Sequence, residues 1–114
     1  MFVFVENSAP MARSLTSPYA LPEIGKRMFL LRKALGNTQA QMGRLAGVSG
    51  NAWQNYESGL RRIELDNVFQ LETTSGAPQE WIYRGVMVRM PLDLAQKIAL
   101  AEREIERQNK RKSR

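Results

Sequence analysis

The apolar positions of this chain recur at helical spacing almost from end to end. Ile24, Met28, Leu31 and Leu35 repeat every three or four residues and predict one helix with a single apolar stripe. Pro22 suits its first turn, and Gly36-Asn37 ends it. Met42, Leu45 and Ala46 predict a second, shorter helix. Thr38 is placed to N-cap it, and Gln41 three residues on completes a capping box. Gly47 interrupts that helix, as a positive-φ residue would. Val48 fills the corner, and Ser49 caps a third helix. This helix carries Ala52, Trp53 and Tyr56 on one face and Asn51, Gln54 and Asn55 on another. Leu65, Val68, Phe69 and Leu71 predict a fourth helix, ended by Gly76. Pro78 opens a fifth, Gln79 to Arg84, anchored by Trp81 and Ile82 and closed by Gly85. Residues 1–20, with Pro10 and Pro18, read as a flexible N-terminal arm in which only Phe2 to Val5 suits a strand.

Two helices of under about ten residues each are not a stable unit alone. Something must pack behind the pair over Thr38 to Gly59, and something polar must meet its amide-rich face. This stretch, TQAQMGRLAGVSGNAWQNYESG, resembles the helix-turn-helix of the phage repressor and Cro family, the xenobiotic-response-element type. Gln39 opens the motif, Gly43 sits where the two helices cross, and Gly47 is the turn glycine. Val48-Ser49 follows the turn, and Tyr56-Glu57 closes the second motif helix. Gly50 and Trp53 depart from the family pattern. Trp53 is spaced with Val48 and Tyr56 to point inward and reads as core. The run GAPQEWIYRG resembles the last helix of the same domain, so the likeness covers roughly residues 22–85. It implies an all-α fold: a five-helix repressor-like DNA-binding domain over residues 21–86, followed by a C-terminal helix and basic tail over 87–114.

The resemblance also implies a chemistry. The second motif helix would enter the major groove, where each base pair shows a distinct set of donors and acceptors. The base-contacting set is then Ser49, Gly50, Asn51, Gln54 and Asn55. Asn pairs bidentately with adenine, and no Arg or Lys lies between Val48 and Gly59. Half-sites biased towards A·T at the Asn51 and Asn55 positions are expected. Phosphate contacts are assigned to Thr38 and Gln39 at the start of the first motif helix, to Arg61 and Arg62 after the second, and more weakly to Arg44. Arg32 reads as part of a basic face off the apolar stripe, and Glu57 as a helix-end or surface charge.

Val86 to Met90 reads as a connector, and Pro91 opens a last helix. Leu94, Ile98, Ala101 and Ile105 form a narrow heptad-like stripe on it. Because the core reads as complete at Gly85, this stripe is assigned to a dimer or partner helix. The competing reading is a helix that packs back on its own domain. The net charge is +6 with pI near 10.2, which suits a polyanionic partner. Most of the excess lies in residues 107–114, which carry five basic residues and no acid. A solvated tail explains that run equally well.

The chain has no cysteine and no histidine. Disulfides are excluded, the common zinc ligands are absent and no cofactor is expected. No run suits a membrane span, and the N-terminus lacks the basic and apolar regions of a secretory signal, so a cytoplasmic location is expected. The expected function is a sequence-specific regulator of transcription that is not an enzyme. It would act as a repressor, a homodimer on an inverted repeat of double-stranded DNA. The alternative is an antitoxin or accessory protein whose C-terminal helix binds a partner protein, with DNA binding for autoregulation.

Overall fold

A computed structural model describes residues 17–112. Six helices follow one another: α1 (Leu21–Leu35), α2 (Gln39–Ala46), α3 (Gly50–Glu57), α4 (Leu65–Ser75), α5 (Gln79–Arg84) and α6 (Leu92–Lys112). No strand occurs among the described residues, so the all-helical class expected from the sequence is the one adopted. The strand expected at Phe2 to Val5, and residues 1–16 of the expected arm, lie outside the described residues. The last residues of that arm are fastened to the body. Arg62 donates to the Tyr19 carbonyl at 3.0 Å, and Arg27 donates to the carbonyls of Pro18 and Ile82.

The capping signals act as read. The Gln41 amide donates to the Thr38 hydroxyl at 3.1 Å, and the Thr38 amide donates to the Gln41 side chain at 2.8 Å. Gly47 ends α2 with φ 78°, in the left-handed region. The Ser49 hydroxyl accepts from the Ala52 amide at 3.0 Å and starts α3. Ile24, Met28 and Leu31 of α1 meet Met42 and Ala46 of α2, Trp53 and Tyr56 of α3, Val68 and Leu71 of α4, and Trp81 and Ile82 of α5 in one core. Two of the four apolar positions that predicted α4 stay outside the core. Leu65 and Phe69 are exposed, because α4 turns the Val68–Leu71 side inward.

The C-terminal helix departs furthest from expectation. The core is not complete at Gly85. Leu94 and Ile98 are 4% and 3% exposed and belong to the same core as α1 to α5. α6 packs against α1, so the boundary expected at residue 86 divides elements that share one interior. Ala101 and Ile105 are half-buried. The four-residue stripe is therefore not a free partner face: its first half is spent inside the chain. The expected basic tail is also helical, through Lys112. Arg89 ties the α5–α6 connector back to α5 and α4. Its guanidinium donates to Glu80 at 2.6 and 2.9 Å and lies 3.8 Å from Glu72.

Candidate nucleic-acid interface

α2 and α3 are held at a close crossing. A Cβ placed on Gly43 would lie 2.6 Å from the Val48 carbonyl oxygen and 2.8 Å from that of Ser49. Only a residue without a side chain lets the turn fold down on α2 there. Gly25 does the same where α1 crosses the end of α3, with a Cβ only 2.6 Å from the Glu57 carbonyl oxygen. α4 then satisfies the carbonyls that α2 leaves unpaired at its end. Asn67 donates to the Ala46 carbonyl and Thr74 to that of Leu45, each at 2.9 Å.

Glu57, read from the sequence as a helix-end or surface charge, is instead the acceptor on which three elements converge. Arg32 of α1 donates to it twice, at 2.6 and 3.1 Å. The Trp53 indole N–H donates from one turn earlier in α3, and Gln39 donates from the start of α2 at 3.2 Å. The Arg32 and Glu57 side chains are 15% and 8% exposed. Arg32 is thus not part of a solvated basic face. No spacing rule pairs residues 25 positions apart in separate helices. The one local signal was Trp53 four residues before an acid, which places an indole donor over a carboxylate on one helix face.

The expected base-contacting residues divide. Ser49, Asn51 and Gln54 are exposed along α3, and Asn55 is half-buried. The Asn55 carbonyl accepts from the Leu60 amide at 3.0 Å, which fixes the chain leaving α3. Gly50 faces α2: a Cβ there would sit 3.1 Å from the Ala40 Cα. Its missing side chain thus has an intramolecular cause, the close approach of the first turns of α2 and α3.

The expected phosphate-contacting residues divide as well. The hydroxyl and amide of Thr38 are both used in the capping box. The Gln39 side-chain amide is turned to Glu57. What the start of α2 offers is the backbone amides of Gln39 and Ala40, which have no acceptor within the helix. Arg44 is exposed. Arg61 and Arg62 are exposed after α3; Arg62 holds the Tyr19 carbonyl. Burial pushes the Tyr56 hydroxyl above its ordinary value, and the nearby Arg61 opposes that shift.

A groove of about 760 Å³ runs along the edge of this face. Gln39, Gln54, Glu57 and Ser58 form one wall, Phe29 and Leu30 the floor, and Glu102, Ile105 and Glu106 of α6 the other wall. The structure therefore brings the distal half of α6 beside the α2–α3 pair, which the sequence did not indicate. Among the described residues no group of His, Cys, Asp or Glu is arranged to hold a metal ion. Among them, too, no helix is long and apolar enough to cross a membrane. No family model, curated protein or solved structure matches the chain.

Proposed function

We propose that the chain is a sequence-specific double-stranded DNA-binding regulator of transcription, a repressor that acts as a homodimer on an inverted repeat. α3 is its reading helix and enters the major groove. The observation that carries this is the pairing of an exposed amide row, Asn51 and Gln54 beside Asn55, with a rigid mounting. Three donors on α1, α2 and α3 fix the end of that helix through Glu57. An interface that reads bases needs side chains held in one register, and phosphate contacts set that register. The free amides at the start of α2, with Arg44, Arg61 and Arg62, are the groups proposed for it. The cytoplasm is the proposed location.

Selection of binding sites from a random duplex pool tests the reading, with an Asn51→Ala/Asn55→Ala variant in parallel. The expected result is an inverted repeat with A·T pairs opposite the two asparagines, lost in the variant. A pool without a recovered site, unchanged by the substitutions, sinks the proposal.

The partner-protein reading draws on a separate observation. Leu92 and Leu100 of α6 are 75% and 60% exposed. On that reading the chain is an antitoxin or accessory factor, and α6 offers these leucines to its partner rather than Leu94 and Ile98. Loss of a stoichiometric co-purifying protein on Leu92→Ser/Leu100→Ser substitution is its expected signature.

A further inference from the structure

The basic end of α6 is not a loose tail. It is a helix that leaves the body at a defined place. Ile105 is the last half-buried residue of α6, and residues 106–112 are exposed. At that point the helix stands across one groove from Gln39 and Ser58. On its other side Lys112 shares a second groove with Lys33, in the last turn of α1. Lys33 lies five residues before Thr38, where α2 and its free amides begin.

Charge is sorted along this helix. Glu102 and Glu106 line the groove beside Gln39, where the basic lining residue Lys26 pairs with Glu23 at 3.2 Å, so the groove itself favours no phosphate. Past Glu106, the residues 107–112 hold four basic groups and no acid. Glu104 is the nearest acid on the second side and pairs with Arg107 at 3.1 Å. Arg111 and Lys112 reach beyond these acids by more than a helical turn, since each residue adds about 1.5 Å.

We infer that the exposed basic end of α6 binds the sugar-phosphate backbone of duplex DNA, flanking the segment met by the start of α2. Arg111 and Lys112 are the residues assigned, with Lys33 beside them. The inference rests on the DNA-binding reading above and adds a contact outside the reading helix. Such a contact is blind to sequence and strongly dependent on salt.

The test uses the full chain with an Arg111→Gln/Lys112→Gln variant and the charge-keeping variant Arg111→Lys/Lys112→Arg. Affinity for a random-sequence duplex and for the selected site is measured across a salt series. Loss of two phosphate contacts makes the slope of log K against log salt shallower by about 1.8 per bound protomer. A fourfold rise in salt then weakens the neutralised variant less than the wild type by about 12-fold for each protomer bound, about 150-fold for the dimer. The selected sequence stays the same, and the charge-keeping variant restores the slope. Equal slopes for wild type and variant, with the wild type still selecting its site, overturn this inference alone. A wild type that binds no duplex overturns it together with the reading beneath it. Equal slopes with loss of a bound protein partner overturn it in favour of a protein ligand.

Discussion

Arg32 of α1 and Glu57 of α3 meet through two hydrogen bonds of 2.6 and 3.1 Å, largely out of water. The same carboxylate takes the Trp53 indole and the Gln39 amide, so one side chain ties three helices at the end of the proposed reading helix. Glu57→Ala leaves the indole N–H without an acceptor and the guanidinium with the Asn37 carbonyl alone, at 3.4 Å. The pair is only partly buried, and losing such charge-assisted hydrogen bonds costs about 1.5–3 kcal/mol. Urea denaturation of the variant should show a loss of that order. A loss within about 0.5 kcal/mol, the range of an ordinary surface change, would contradict the role given to Glu57.

The two glycines of the α2–α3 crossing should differ. At Gly43 a Cβ meets carbonyl oxygens at 2.6 and 2.8 Å, and the turn cannot give way without unpacking. At Gly50 the closest atom is 3.1 Å away. Overpacking of the first kind costs about 1–3 kcal/mol. Gly43→Ala is therefore expected to lower Tm clearly more than Gly50→Ala. Equal Tm values for the two would refute this account of the crossing.

On α6, burial separates residues that the sequence pattern grouped together. Leu94→Ala or Ile98→Ala opens a cavity in the core and should cost about 2–4 kcal/mol. Leu100→Ala, at an exposed position, should stay within about 0.5 kcal/mol. Both are read by thermal denaturation at two protein concentrations. If Leu94→Ala instead lowered the mass in solution and spared the stability, the stripe would be a partner face after all.

The Glu80 carboxyl is held at about 2 against an ordinary 4.5, chiefly by its hydrogen bond from Arg89. A carboxyl lowered in the folded state contributes stability above its unfolded value, and this is lost as pH falls towards the folded one. The Tm gap between wild type and Arg89→Gln should thus be present near neutrality and close between pH 4.5 and 2. A gap that stays constant through that window would show that Arg89 acts by packing alone.

Local chemistry determined much of this protein from sequence alone. Thr38 and Gln41 sit three apart, and Ser49 follows Gly47; caps and turns depend on neighbours along the chain, so they are legible there. The apolar stripes of α1, α2, α3 and α5 were legible for the same reason, since a helix maps spacing directly onto a face. Trp53 as core belongs with them.

Tertiary structure decided what depends on which helices meet. A stripe states that a face is buried, not against what. Leu94 and Ile98 could meet a partner or α1 equally well by spacing, and only the packing of α6 on α1 chose. Leu65 and Phe69 kept helical period but lost burial, because α4 is covered on one side only. Arg32 and Glu57 looked like solvated charges until two crossings, at Gly25 and Gly43, brought α1, α2 and α3 within hydrogen-bond reach. Gly50 likewise acquired its reason from Ala40, a residue of another helix. Contacts distant in sequence carry no period, so they enter only when the chain is folded.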